Sequence, residues 1–196
     1  MKILNVGYRS INCYVLITEE AKLLKDVGWP GGMRELKWSL AGEGLSVKDI
    51  THVLVTHYHM DHGAIAQEMK DKGARLIVME SQREHLNEQK KFIKPPSIFH
   101  EIKTVDNIEL AFRESRAFLK TLGLNGEILS TLGHSQDHVT LVLDRGEAFT
   151  GDLPPESGVK KDSEGYKDWR KLHSMNTKKI YPAHGRPYDL SLEAYN

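Results

Sequence analysis

The stretch His57-Tyr58-His59-Met60-Asp61-His62 constrains this chain more than any other, because it packs three imidazoles and a carboxylate into six residues. It follows Thr51 to Thr56, whose apolar centre reads as a buried strand, so the cluster is delivered at a strand's C-terminal end. At this composition a chance His-x-His-x-Asp-His is expected on the order of once in a thousand chains of this length. The competing reading, a His-rich surface loop with incidental metal affinity, is correspondingly weak. Such a run is built to hold metal.

Four further short stretches carry the same residue types: Asp26-Val27-Gly28, Gly133-His134-Ser135, Gly151-Asp152 and Ala183-His184-Gly185. The apolar and turn patterns predict strands over 2–6, 12–18, 22–27, 51–56, 74–79, 127–132, 139–144, 147–150 and 179–182. Helices are predicted over 33–41, 63–72, 81–92, 115–122 and 166–174, two of them closing at Gly42 and Gly73. Strands 2–6 and 12–18 read as an antiparallel pair, and Arg145-Gly146 as a hairpin turn. His57, His59, Asp61, His62, His134, Asp152 and His184 then all fall at or just beyond strand ends, where loops can converge on one side of a sheet. Seven potential ligands from four segments are enough for two ions. Imidazole with carboxylate suits Zn, Mn or Fe, and the lack of thiolate argues against a closed Cys-based structural site.

Composition narrows the classes. A length of 196 residues fits one domain with a sizeable core, and no stretch reads as a linker, repeat or low-complexity tract, so a single domain over 1–196 is expected. Lys plus Arg balance Asp plus Glu at 27 each, which gives no global basic field and argues against a nucleic-acid partner. Lys2, Arg9 and two Asn interrupt the apolar stretches of the first 18 residues, spoiling a signal peptide or membrane span. A cytoplasmic protein acting on a small molecule is the resulting expectation, with no oligomeric state implied. The lone Cys13 cannot form an internal disulfide and reads as a small core residue.

Together the five motifs, in order and spanning residues 26 to 185, resemble the metallo-β-lactamase-fold superfamily, and within it most closely the glyoxalase II-like hydrolases. The resemblance implies an α/β fold, an αββα four-layer sandwich of two mixed sheets flanked by helices, with the site along one edge. It implies that His57, His59 and His134 bind a first divalent ion, that Asp61, His62 and His184 bind a second, and that Asp152 bridges them. Zn is the expected metal, with Mn or Fe as alternatives. Asp26 would support the His motif from behind the ligands, and His138, in Gly-His-Ser-Gln-Asp-His, reads either as orienting the site in the same way, as a second His does in relatives, or as a core or surface residue. The implied reaction is hydrolysis of a small ester, a hydroxyacylglutathione-like thioester or a lactone by a hydroxide shared between the ions, with a metal-bound water or Asp61 protonating the leaving group.

Departures from the family's branches prune the alternatives. Lactamases usually carry Cys or Ser where this chain has Asp152, and flavodiiron relatives place Glu at the position of His59. The spacings of 18 residues from His134 to Asp152 and 32 from Asp152 to His184 leave no room for the large inserts of the family's nucleases. Glyoxalase II proper appends a helical domain, whereas this sequence ends 12 residues after His184, so glutathione thioesters are one candidate substrate among several. A phosphodiesterase or nuclease, a mononuclear iron persulfide-dioxygenase-like enzyme and a noncatalytic binding protein remain as other readings. His52, His85, His100 and His173 match no motif and are expected to be structural or exposed. Trp29-Pro30-Gly31-Gly32 reads either as an apolar pocket wall or as an anchor to the core, Lys160 and Lys161 as a solvated pair, and 81–92 as a solvent-facing helix.

Overall fold

A computed structural model describes residues 1–190; residues 191–196 of the expected domain lie outside the described region. Two mixed sheets stack between helices. The first has six strands in chain order, β1 (Lys2–Asn5), β2 (Tyr14–Ile17), β3 (Lys22–Lys25), β4 (His52–Leu54), β5 (Arg75–Met79) and β6 (Ile108–Leu110). β1, β2 and β3 run antiparallel, and β3 to β6 run parallel. The second sheet has the order β11-β10-β9-β8-β7, comprising β7 (Gly126–Ser130), β8 (Val139–Leu143), β9 (Glu147–Gly151), β10 (Lys179–Pro182) and β11 (Tyr188–Asp189). β10 pairs with β9 in parallel, and the other pairs are antiparallel.

The four layers follow from three apolar clusters. Met33, Leu36 and Leu40, at helical spacing on α1 (Met33–Gly42), join Ala66 and Met69 of α2 (Ala66–Asp71) against Leu24, Val53, Leu76 and Val78 on the outer face of the first sheet. The alternate residues of the same strands, Leu23, Leu54 and Ile77, point the other way and meet Ile128, Leu141 and Phe149 between the sheets. Leu119 of α3 (Ser115–Thr121) closes this middle layer. On the far side, Trp169 and Leu172 of α4 (Glu164–Ser174) pack against Val142, Ala148 and Ile180. Ser163 caps α4, its hydroxyl accepting from the Tyr166 N–H at 3.2 Å. Cys13 is buried in the outer cluster, as expected of a small core residue.

The elements match the sequence reading with one substantial correction. The predicted helix over 81–92 is absent; two short 3₁₀ turns, Glu80–Gln82 and Glu88–Phe92, stand in its place. Tertiary hydrogen bonds outcompete helix there. The Asn87 side chain bonds both the N–H and the C=O of Ile102, and the Gln82 amide spans Met79 N–H and the Val55 carbonyl. Nor is this segment a solvent face, since Gln82, Leu86 and Gln89 are buried. The short strands β6 and β11 carry no sequence signal strong enough to predict. Among the described residues no helix is long and apolar enough to cross a membrane.

Candidate metal centre

The parallel strands β3 and β4 end side by side, and so do β9 and β10, so the loops that follow them open on one edge of the sandwich. The His motif is clamped there by backbone: Val27 N–H and Gly28 N–H both donate to the His62 carbonyl, at 2.8 and 3.1 Å. Gly28 adopts φ +88°, and a Cβ at this position would run into the Tyr8 ring and hydroxyl, which holds the Val27 carbonyl at 3.0 Å. The two sheets are stitched at the same edge by Val139 N–H to Thr56 O at 2.8 Å and Asn12 N–H to Ala183 O at 2.7 Å. Trp29 packs against the outer apolar cluster, as the anchor reading expects.

All seven expected ligands converge in two groups, His57–His59–His134 and Asp61–His62–Asp152–His184, each with its donor atoms within 4.8 Å of one another. In the first group His57 Nε2, His59 Nδ1 and His134 Nε2 form a triangle with sides of 3.0, 3.1 and 3.1 Å. That is close to the roughly 3.3 Å separating two ligands of a tetrahedral ion with bonds of about 2.0–2.1 Å. In the second, His184 Nε2 lies 3.2 Å from Asp61 Oδ2 and 3.3 Å from Asp152 Oδ1, and His62 Nε2 lies 3.3 Å from Asp152 Oδ2. Asp152 stands between the groups, its Oδ2 also 3.9 Å from His57 Nε2 and 3.8 Å from His134 Nε2.

The donor set fits divalent metal. His62 Nε2 and Asp152 Oδ1 are buried and lack a hydrogen-bond partner among the described residues, a costly arrangement that a cation between them would relieve. The ring nitrogens facing away from the site are engaged: His62 Nδ1 with Asp26 Oδ2 at 3.0 Å, His184 Nδ1 with the Ser10 carbonyl at 2.6 Å, and His57 Nδ1 with Thr56 Oγ1 at 3.2 Å. Those bonds set the tautomers that leave Nε2 free to ligate. Burial, reinforced by neighbouring imidazoles, holds His57 well below the ordinary histidine range. Burial also lowers His134, so both rings keep a lone pair at neutral pH. At His62 burial opposes charging, but the Asp26 and Asp152 carboxylates outweigh it and push the ring up to about 9.

Behind the ligands lies a polar layer, part of it expected. Asp26 is fully buried, and its Oδ1 accepts from Thr56 N–H at 2.7 Å while its Oδ2 holds His62. His138 accepts the Asp152 backbone N–H at Nε2 (3.2 Å) and pairs through Nδ1 with Thr131 Oγ1 (2.9 Å). Other members escaped sequence reasoning. Asp137 accepts Tyr58 N–H at 2.6 Å and Ser135 Oγ–H at 2.7 Å, tying the His57 loop to the His134 loop. Asp168 of α4 accepts Gly133 N–H at 2.8 Å, and the buried Gln89 amide reaches the Gly63 carbonyl at 3.3 Å. Asp137 sits inside a recognised motif, a signal that was available; Asp168 and Gln89 act on distant backbone and leave none.

Two openings flank the ligands and share His134. One, of about 370 Å³, is lined by Tyr58, His59, Leu132 and the His85–Glu88 pair, whose Nδ1 to Oε2 distance is 3.2 Å. His85, expected to be bland, therefore borders the site. The other, of about 300 Å³, is lined by Leu153, Pro155, Pro182, Arg186 and Tyr188 beside Asp152 and His184. His52 and His100 stand away from both groups, and Lys160 and Lys161 are exposed. His173 contacts Glu156 at 2.8 Å.

A family model described as the metallo-beta-lactamase superfamily matches residues 6–184. The chain belongs to the metallo-β-lactamase superfamily. Within this superfamily it is similar to a beta-lactamase-like protein 2 homolog of Drosophila melanogaster, at 30% identity over 89% of the chain and 58% of that protein. It is also similar to an atrochrysone carboxyl ACP thioesterase of Aspergillus fumigatus, at 28% identity over 89% of the chain and 50% of that protein. The chain thus spans little more than half the length of these curated relatives. Among solved structures, a metallo-beta-lactamase family protein of Thermus thermophilus superposes with a TM-score of 0.72 at 18% identity, over 96% of this chain and 74% of that one. A metallo-beta-lactamase of Legionella gormanii superposes with a TM-score of 0.69 at 21% identity, over 93% and 76%. Both share the αββα superfamily fold.

Proposed function

We propose that this single-domain chain is a dinuclear metal-dependent hydrolase of small esters, thioesters or lactones, related in chemistry to the glyoxalase II-like branch. The observation that carries the reading is the pair of ligand groups with the Asp152 carboxylate between them. His57, His59 and His134 would hold one divalent ion, Asp61, His62 and His184 the other, and Asp152 both; Zn suits this nitrogen and oxygen set, as do Mn and Fe. Ions held there would supply Lewis-acid polarisation of an acyl carbonyl and lower the pKa of a bound water toward neutrality.

The chain's own groups account for the remaining tasks. Asp61, partly exposed with its Oδ2 beside His184 Nε2, can take up the proton released by the attacking water and pass it to the leaving group. His138 fixes the Asp152 backbone, and Asp26 fixes the His62 ring, so the site is organised before substrate arrives. The apolar cavity of Leu153, Pro155 and Pro182 suits an acyl group, and the polar one beside His85 and Glu88 suits a leaving group. The relative named as a thioesterase supports a thioester among the substrates. Elemental analysis with a hydrolysis screen tests the proposal: close to two Zn, Mn or Fe per chain and turnover of a thioester or lactone are expected. Asp152→Ala and His134→Ala should each lower bound metal and turnover together. Full activity in either variant would overturn the assignment.

A further inference from the structure

Lys25 is the polar anomaly of the fold. It is fully buried, on the same face of β3 as Leu23, and it points into the middle layer between the sheets, with its Nζ 5.9 Å from the Tyr14 ring centroid. A lysine almost never occupies such a position unless its charge is paired. Its Nζ lies 2.6 Å from Asp26 Oδ2, so it brings that oxygen both a positive charge and a donor. The same Asp26 oxygen lies 3.0 Å from His62 Nδ1. One carboxylate oxygen is therefore divided between a cation and a metal-ligating ring.

A carboxylate behind a ligating imidazole normally raises the basicity of the ring and strengthens its bond to the ion. A cation on the same oxygen offsets part of that charge, and it adds a positive charge to a low-dielectric interior that must also accept the metal's. The effect is selective. His62 meets the Asp26 oxygen directly, whereas His57 reaches that carboxylate only through the Thr56 hydroxyl and His184 is backed by the Ser10 carbonyl, so among these three rings His62 is the one most exposed to the charge of Lys25. We propose that Lys25 offsets part of the charge of the Asp26 carboxylate behind His62, and thereby lowers the affinity of the Asp61–His62–Asp152–His184 group for its ion relative to that of His57–His59–His134. Lys25 is a positioning residue that sets how unequal the two ion sites are, and it makes occupancy of the second follow the ambient metal concentration. The proposal rests on the two-ion reading above.

The test is stepwise removal of Zn²⁺ from the loaded protein by a competing chelator, with ions per chain counted by native mass spectrometry and Asp61→Asn marking the step that belongs to the second group. Lys25→Met removes the charge and keeps the bulk; Lys25→Gln removes the charge and keeps a donor for Asp26, so one variant survives if the other misfolds. In both, the chelator concentration that strips the second-group ion is expected to rise on the order of tenfold, while the first ion shifts less than threefold. Folded variants that release the second ion as readily as the parent, or that weaken both ions together, would overturn the role of Lys25. A parent protein that never carries a second ion would instead overturn the two-ion reading, which separates the two failures.

Discussion

Replacing Asp137 by alanine should loosen the metal centre without touching a ligand. The carboxylate is buried, accepts the Tyr58 N–H at 2.6 Å, and accepts the Ser135 hydroxyl at 2.7 Å. Tyr58 lies between His57 and His59 and is itself buried, so its N–H loses its one protein acceptor among the described residues once the carboxylate is gone. A hydrogen bond to a charged acceptor is worth about 1.5–3 kcal/mol, and a stranded buried donor costs a similar amount; these describe one loss, so about 2–3 kcal/mol is the expected destabilisation. The Ser135 hydroxyl is half-buried and can turn to solvent, which adds little. For a domain of this size that corresponds to a fall in Tm of about 4–12 °C. Asp137→Asn keeps an acceptor for Tyr58 and should recover half or more of the loss. Thermal melts of both variants, read with and without added Zn²⁺, make the check. An Asp137→Ala protein melting within about 2 °C of the parent, with unchanged metal content, would refute the argument that this bond braces the ligand loops.

His138→Gln should lower turnover on the order of 10- to 100-fold with a smaller change in stability, because the amide cannot reproduce both the acceptor for Asp152 N–H and the partner for Thr131 Oγ1; steady-state kinetics beside a thermal melt separates the two effects. Gly28→Ala forces a side chain into φ +88° and into the Tyr8 ring, so soluble yield and bound metal should fall together, and a normally folded, fully loaded variant would show that the clamp on the His62 carbonyl tolerates movement.

The clustering of the seven candidate ligands was legible because metal chemistry dictates residue type and spacing at once: His57, His59, Asp61 and His62 announce themselves within six residues, and His134, Asp152 and His184 each close an apolar strand signal. The layer behind them was legible only where it shared a motif, as with Asp26 and His138. Asp168 and Gln89 work by reaching a distant backbone N–H or C=O, a partnership with no period and no preferred neighbour. The same non-local bonding hid the true conformation of 81–92, where charge and local spacing favour helix while Asn87 and Gln82 satisfy backbone elsewhere. Lys25 was read as part of a strand, correctly, but one-dimensional alternation cannot say that its face lies between two sheets.

The division proposed between residues that would hold ions and residues that would meet substrate follows from where each group is anchored. The ligands hang from strand ends, and their rotamers are pinned by Asp26, Ser10, Thr56 and the bonds that stitch the sheets, so the entropy of ordering them is spent in folding rather than in binding. The flanking openings are built differently. Leu153 and Pro155 belong to the loop after β9, and His85 and Glu88 to the turns after β5. Trp169 secures the first of these loops through its Nε1–H to the Pro154 carbonyl at 2.8 Å, while the second is held by Gln82 and Asn87. Substitutions at Pro155, His85 or Glu88 can therefore change what is bound without disturbing the candidate ligands. Substrate preference and metal loading should accordingly vary independently across such variants, whereas changes to the pinned layer should move both at once.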